Sequence, residues 1–447
     1  MADGSYWSSP GPEGPGSGPP PAPPPAAGPL GPPPRPPRRR TALVAGIVVG
    51  LLLLGGGAVF AVAQFTGDGG SPEAAVRDLF EAVADEDVLG VIDALAPSER
   101  QVLAGFAEDL AAELQRLDVL SDDLDLGSVP GFDLAYDDLE LSSEEVADDL
   151  ALVTVEGGTF TGTVDPGAVP LGDFVTQFLG DDRGPVETDT EDLGADPLVL
   201  ATVRDGGSWH VSLFTTLAED ALASSGAERP DPGKGIEAVG ADSPTEAVAA
   251  LVDSLLAVDL EGVIARFPPG EARVLRDYSP LFRDALDDLQ RSAGGEVEAS
   301  VSGVEYETSE VDGGTLVQLR GGALDLAVPG LGLRIHVEDG CTTVEDGTGP
   351  MTICGNDLGS LGAELEAELG VEVPDLDLGR PVLGLVTVED GGQWYVSPLR
   401  TVAHDVIEGL RAFDRADLDE LARFFTELAD ATGDDPFGPP GEALLTR

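Results

Sequence analysis

The sequence predicts an α+β protein in which two similar repeats follow a Pro-rich tail and one transmembrane helix. Residues 204–222 (RDGGSWHVSLFTTLAEDAL) resemble residues 389–407 (EDGGQWYVSPLRTVAHDVI), and nine of the 19 aligned positions are identical. In each repeat, apolar residues first recur at helical spacing and then alternate as in strands. The chain has 447 residues, whereas a single core stops growing at about 250 to 300 residues. More than one folded unit is therefore expected.

The composition is strongly acidic. The chain has 83 Asp and Glu against 24 Lys and Arg, so its net charge is 24 − 83 = −59, and Lys234 is the only lysine. A polyanion of this kind repels nucleic acid and anionic membrane surfaces at long range. We therefore exclude DNA and RNA as partners and interpret the acidity as a solvated surface.

An apolar segment follows the N-terminal tail. Residues 1–40 are Pro-rich with almost nothing to bury, which predicts a disordered cytoplasmic tail. Within residues 41–65, the 24 residues from number 42 to 65 carry no charge and would form about 36 Å of helix, against a hydrocarbon core of about 30 Å. The arginines at 38–40 directly precede this segment, so the positive-inside rule places the N-terminus in the cytoplasm. We predict a single-pass protein that contacts the bilayer through one helix. A cleaved signal peptide is the alternative.

The helical half of each repeat is the most regular part of the alignment. Ser71–Leu103 aligns without a gap with Ser243–Leu275, at an offset of 172 positions. Ser71 and Ser243 suit a helix N-cap, and the proline after each suits the first helical turn. Each copy then predicts a second short helix and a third helix that begins after a proline.

The second half of each repeat predicts strands. Residues 152–160 (LVTVEGGTF) match residues 316–324 (LVQLRGGAL), and we interpret the paired glycines in both as a hairpin signal. A last hairpin turns at residues 205–207 (DGG) and at the matching residues of the second copy. It continues through Trp209 or Trp394, which we expect to be core residues, into a closing helix.

The second repeat contains an insertion. Gly158 to Thr202 spans 44 positions but Gly322 to Thr387 spans 65, a difference of 21 residues. The only two cysteines, Cys341 and Cys354, lie in this region. In an external domain they predict a disulfide that closes the inserted loop, worth roughly 3 kcal/mol. A thiolate metal site is the alternative, with His336 as the one further ligand nearby.

These patterns give a domain plan. The segments are a disordered tail (1–40), a transmembrane helix (41–65), a first repeat (66–225), a linker (226–242), a second repeat with the Cys-bounded insertion (243–410), and a C-terminal amphipathic helix and tail (411–447).

The repeats resemble the NTF2-like (SnoaL-like, cone-shaped α+β) superfamily in its bacterial extracytoplasmic form. The resemblance rests on the S-P-x-x-A-V opening, the Pro-led third helix and the D-G-G-x-W-x-V hairpin, and it covers most of residues 70–410. It implies a curved antiparallel sheet wrapped around helices, with a conical cavity inside and pairing of units through their sheets. The superfamily includes isomerases, dehydratases and non-catalytic binding domains, so the fold does not decide the function.

Few residues are candidates for a site. His210, which alternates with its neighbours along a strand, faces either the cone or the solvent, and Tyr395 replaces it in the second copy. His404 corresponds to Glu219, which indicates a surface position on the closing helix. The three histidines are widely spaced and the acidic runs lack the ligand spacing of a calcium loop, so we expect no metal and no cofactor.

We therefore expect a membrane protein of the bacterial cell envelope with a non-catalytic ectodomain for binding or scaffolding. Its partner would be an envelope protein, a wall component or a small apolar ligand. The alternative is an NTF2-like enzyme of the isomerase or dehydratase type with one active cone, which the inequality of His210 and Tyr395 permits. A third hypothesis is that the Pro-rich tail carries the function and that the ectodomain acts as a sensor.

Overall fold

The chain folds as helices followed by an antiparallel sheet, and this order occurs twice. The computed structural model describes residues 70–165, 167–177, 186–187, 191–192, 198–230, 235–283, 298–328, 331–338, 341–345, 350–354 and 384–432. The α+β class is confirmed, and the antiparallel sheets curl. The predicted tail (1–40) and transmembrane helix (41–65) lie outside these residues. Within them, no helix combines the length and apolar character that a bilayer span requires.

The first repeat forms one sheet with helices before and after it. Its elements are α1 (Pro72–Ala84), α2 (Val88–Asp93), α3 (Pro97–Arg116), β1 (Phe132–Ala147), β2 (Leu150–Val164), α4 (Asp173–Thr176), β3 (Val186–Glu187), β4 (Glu191–Asp192), β5 (Leu198–Asp205), β6 (Ser208–Val211) and α5 (Leu213–Ser225). The strand order is β1-β2-β5-β6, and β3 and β4 also pair with β2.

The second repeat has the same strand order with an extension. Its elements are α6 (Pro244–Leu256), α7 (Leu260–Ala265), α8 (Arg273–Asp277), β7 (Glu298–Val311), β8 (Gly314–Val328), β9 (Leu331–Glu338), β10 (Cys341–Glu345), β11 (Pro350–Cys354), β12 (Gly384–Asp390), β13 (Gln393–Val396) and α9 (Pro398–Ala412), with α10 (Arg415–Thr432) after it. The path β7-β8-β12-β13 repeats β1-β2-β5-β6.

The insertion forms β9, β10 and β11, which extend the sheet from β8. In the first repeat the corresponding part of β2 pairs with the two-residue strands β3 and β4. Cys341 is disulfide-bonded, and Cys354 is its partner in the register of β10 and β11. The disulfide therefore lies at the edge of the second sheet.

The helix starts agree with the sequence pattern. The Ser71 and Ser243 hydroxyls each accept a hydrogen bond from the backbone N–H three residues on, at 3.2 and 3.3 Å. Asp87 and Asp259 cap α2 and α7 in the same way, at 2.8 and 2.9 Å. The two aspartates are equivalent at the offset of 172, so both repeats cap their second helix with the same residue.

The paired glycines lie inside β2 and β8, so their interpretation as hairpin turns is wrong. The register shifts between Asp137 and Glu140 opposite Gly157 and Gly158, which is a β-bulge. Gly158 has φ +126°, and a Cβ there would lie 3.1 Å from the carbonyl oxygen of Asp137. Glycine is thus required by the bulge, and the turn itself lies at residues 148–149.

The closing hairpins follow the sequence prediction. Asp205 pairs with Ser208 across Gly206 and Gly207, whose φ values are +58° and +95°. The second copy has the same register and φ values of +60° and +83° at its two glycines. Positive φ at both central positions is typical of a type I′ turn, which matches the twist of the strands.

Buried hydrogen bonds repeat between the copies as well. The Thr202 hydroxyl donates to the carbonyl of Ala151 at 3.1 Å, and the Thr387 hydroxyl donates to that of Thr315 at 2.9 Å. Both threonines are inaccessible to solvent. These bonds fix β5 on β2 and β12 on β8 in the same register.

The core of each repeat lies between its first helix and its sheet. In the first repeat it contains Val76, Leu95, Val153, Trp209 and Val211, all at most 6% exposed. In the second repeat it contains Val248, Leu251, Val317 and Val396, with Trp394 packed against them. The prediction of a core residue is confirmed for Trp209, whereas Trp394 is partly buried and packs against the core.

The two repeats pack on each other through helices. The described residues of both repeats belong to one compact unit, in which α3 of the first repeat contacts α9 of the second, and α8 of the second contacts α5 of the first. Ser98 and Gly270, equivalent at the offset of 172, meet each other: a Cβ on Gly270 would lie 2.6 Å from that of Ser98. Contact between equivalent residues marks a pseudo-two-fold axis. Among the described strands none pairs across the repeats, so the expected sheet pairing is not observed there.

The C-terminal helix α10 begins at Arg415, and two residues separate it from the end of α9 at Ala412. The Arg415 guanidinium lies 3.4 Å from Asp118 and 4.6 Å from the ring centre of Phe174. Both belong to the first repeat, so the end of the second repeat is held against the first.

Candidate functional site

Among the described acidic residues of the first repeat, Glu99 is the most buried, at 4% exposed. It accepts hydrogen bonds from the Ser212 hydroxyl at 2.7 Å and from the N–H groups of Leu213 and Phe214 at 2.8 and 3.2 Å. Burial raises the pKa of Glu99, and these hydrogen bonds oppose the rise. Because the carboxylate satisfies the N–H groups at the start of α5, it acts as a helix cap supplied by α3.

Glu271 is the counterpart of Glu99 at the offset of 172. Its two oxygens accept from the Ser397 hydroxyl at 2.6 and 2.8 Å, at the start of α9. Burial also raises the pKa of Glu271, and Ser397 and Arg400 oppose the rise. Pro398 stands where the first repeat has Leu213, so one backbone donor is missing. Glu99 and Glu271 thus each accept hydrogen bonds at the start of the closing helix of their repeat.

Glu219 lies at the junction of the repeats and is 6% exposed, so its interpretation as a surface position is wrong. It accepts two hydrogen bonds from the Arg229 guanidinium, at 2.8 and 2.5 Å, and one from the Tyr278 hydroxyl. Burial favours the neutral carboxyl, but the bonds from Arg229 and Tyr278 outweigh it and lower the pKa of Glu219. Burial, and then the bond to Glu219, raise the pKa of Tyr278. A helix of the first repeat, the linker and the second repeat meet in this cluster.

His210 and Tyr395 occupy the same position on β6 and β13 but differ in burial. His210 is half-buried, and burial followed by the charge of Arg100 lowers its pKa, with Asp205 opposing. Tyr395 is 5% exposed and donates to the side chain of Gln393 at 3.3 Å. The two equivalent residues therefore differ in burial and in the groups that surround them.

The other histidines lie apart from this position. His336 is exposed on β9, 3.3 Å from Glu338. His404 is half-buried on α9, on a different element from Glu219 in the junction. The residues that the structure describes contain no group of three or more His, Cys, Asp or Glu side chains that could hold a metal ion.

The alignment of the two repeats indicates the buried acids at 99 and 271, but the large number of acidic residues makes them hard to single out. Among 83 acidic residues a single Glu carries no information, but P-S-E at 97–99 and P-G-E at 269–271 align at the start of the third helix. Retention of the acid in both copies, two residues after the proline, indicates a shared structural task. Glu219 and Tyr278 had no such signal because their contact joins different elements of different repeats.

Comparison with known proteins gives no further identification. No family model, no curated protein and no solved structure matches this chain. The NTF2-like resemblance stays a prediction.

Proposed function

We propose that this chain is a single-pass protein of the bacterial cell envelope whose tandem NTF2-like ectodomain binds a partner without catalysis. The partner is an envelope protein, a wall component or a small apolar ligand. The observation that carries the proposal is the use of the buried acids: Glu99, Glu219 and Glu271 all serve packing within or between the repeats.

The first line of support comes from the space between helices and sheet. In the first repeat this space holds the side chains of Val76, Leu95, Val153 and Trp209. An enzyme of the superfamily would need a polar, accessible site there. Apolar side chains packed at these positions favour a structural interior and a binding surface on the outside.

The second line of support is electrostatic. A catalytic carboxylate has to reach substrate and exchange a proton with it. Glu99 is instead saturated by three donors at the start of α5, and Glu219 by Arg229 and Tyr278. Protonation of either would cost the packing that it stabilises.

The third line of support is the sequence outside the described residues. An uncharged run at 42–65 after three arginines suits an anchor with the repeats outside the cell. A disulfide at Cys341 suits an oxidising compartment. The excess of acidic residues that gives the whole chain a net charge of −59 keeps such an ectodomain soluble.

The test first determines on which side of the membrane the repeats lie, and then whether they convert a bound molecule. Protease added to spheroplasts should degrade the repeats of the full chain and leave a fragment of the N-terminal tail and membrane segment. Full-length protein extracted in detergent is then analysed by native mass spectrometry for a retained molecule. Retention that is equal in the wild type, His210→Ala and Tyr395→Phe supports binding without catalysis.

Two outcomes would contradict the proposal. Protection of the repeats from external protease would place them inside the cell. Chemical conversion of the retained molecule, lost in His210→Ala but kept in Tyr395→Phe, would establish an enzyme with one active repeat.

A further inference from the structure

The strand β1 forms one edge of the sheet in the first repeat, and among the described strands it pairs only with β2. Asp165 donates its backbone N–H to the carbonyl of Gly131 at 2.8 Å, and bonded pairs alternate along an antiparallel ladder. The backbone groups of Leu134 and Tyr136 therefore point away from β2. No described backbone group bonds to them there. An edge of this kind can accept a further strand.

The side chains alternate along the first half of β1. Leu134 and Tyr136 share one face of the strand and are half-buried, whereas Asp133 and Asp137 are exposed on the other face. The Tyr136 ring lies 5.7 Å from that of Phe80 on α1, edge to face, so the half-buried face is the one toward α1. A strand added to this edge would cover more of that face with its own alternate side chains.

The charge at this edge is almost entirely negative. β1 carries six acidic residues and no Lys or Arg. Acids of α1 also lie near: burial, and then the charge of Glu81, raise the pKa of Tyr136, which Arg77 opposes and Asp85 adds to. A second copy would bring the same acids to the edge, and like charges across a strand pair are destabilising. The charge therefore disfavours a second copy and favours a basic strand.

The corresponding edge of the second repeat, β7, differs in charge and in apolar bulk. The two bulges align β7 with β1 at an offset of 165 positions. Ser302 then stands in place of Asp137, and Val301 in place of Tyr136. β7 carries four acids, and Arg320 on β8 forms an ion pair with one of them. The edge of β7 is thus an internal control for that of β1.

We propose that the outer edge of β1 binds an extended, basic strand of a partner protein. The strand forms backbone hydrogen bonds at Leu134 and Tyr136 and places lysine or arginine side chains opposite Asp133 and Asp137. Its alternate apolar side chains pack on the half-buried face beside Phe80. This inference rests on the proposed binding function and adds the surface and the kind of partner: an envelope protein with a segment in which basic and apolar residues alternate.

A heptapeptide of alternating lysine and valine (KVKVKVK) is the probe, added to the full-length protein in detergent. Hydrogen exchange, resolved to single amides by fragmentation mass spectrometry, reports where it binds. We expect the amides of Leu134 and Tyr136 to exchange at least tenfold more slowly with the peptide, and those of Ala299 and Val301 on β7 to stay unchanged.

A control peptide separates strand addition from attraction by charge. KVKPKVK keeps all four lysines but lacks the central backbone donor, which would face β1. We expect it to leave the amides of Leu134 and Tyr136 unprotected. Equal protection by the two peptides, or equal protection of β1 and β7, would mean that charge alone attracts the peptide and would overturn the proposal.

Two double variants with the same change of charge test the acids of β1. Asp133→Asn with Asp137→Asn removes the carboxylates opposite the lysines. Asp122→Asn with Asp123→Asn removes two exposed carboxylates that lie outside the sheet. Binding is measured as the peptide concentration that half-protects Tyr136. We expect the first pair to weaken it at least tenfold and the second less than about twofold, and equal weakening would refute the proposal.

Exchange without peptide tests the other possible occupants of the edge. We expect Leu134 and Tyr136 to exchange rapidly at every protein concentration. Slow exchange that becomes rapid on dilution would assign the edge to a second copy, and slow exchange at every concentration would assign it to another segment of this chain; either result would overturn the proposal. Failure here differs from failure of the proposed function, which is decided by the location of the repeats and the fate of a retained molecule.

Discussion

Replacement of Glu99 by Gln tests whether a carboxylate from α3 holds the start of α5. The wild-type side chain accepts three hydrogen bonds, from Ser212, Leu213 and Phe214. Gln keeps one acceptor oxygen and presents an amide NH₂ to the remaining donors. Loss of one bond to a charged acceptor costs about 1.5 to 3 kcal/mol, and two donors then face each other. Removal of the buried charge, whose desolvation raises the pKa of Glu99, offsets part of this loss. We expect the free energy of unfolding to fall by about 2 kcal/mol.

The assay is urea denaturation of the full chain in detergent, followed by tryptophan fluorescence. Trp209 reports locally because it lies three residues before Ser212. Glu108→Gln, an exposed acid on the same helix α3, is the control and should change stability by less than about 0.5 kcal/mol. If Glu99→Gln is no more destabilising than Glu108→Gln, the capping role is refuted.

Three further predictions concern the junction and the backbone. The pKa of Glu219 is lowered below its ordinary value of 4.5, so its contribution to stability is complete above that pH and is lost as the pH falls through the lowered pKa. Between about pH 6 and pH 3, the free energy of unfolding should therefore fall less in Glu219→Gln than in the wild type. Equal falls in the two proteins would contradict this. Val258 has φ +54°, so Val258→Gly should raise the melting temperature by relieving about 1 kcal/mol of strain, whereas Ala257→Gly, at φ −77°, should lower it. Gly158→Ala should lower the free energy of unfolding by more than about 1 kcal/mol. Gly105→Ala, where a Cβ meets nothing within 4 Å, should raise it, and similar effects of the two changes would argue against the bulge.

The sequence predicted local features more accurately than contacts between elements. The N-caps at Ser71 and Ser243 and the turn at residues 205–207 depend on neighbours within three positions, and all are observed. The Gly157-Gly158 pair was misinterpreted because glycine suits a turn and a bulge equally well. Only the register of β1 on β2 decides between them.

The sequence by itself determined the α+β class, the doubling of one unit and the extra length of the second copy, because periodicity, repetition and spacing are properties of the chain alone. The tertiary structure decided the roles of Glu99, Glu219 and Tyr278. Burial and partner identity set the pKa and the task of an acidic side chain, and both come from residues distant in sequence: 113 positions separate Glu99 from Ser212 and 59 separate Glu219 from Tyr278. In a chain with 83 acids, only this folding distinguishes the few that hold the protein together from the many that keep it in solution.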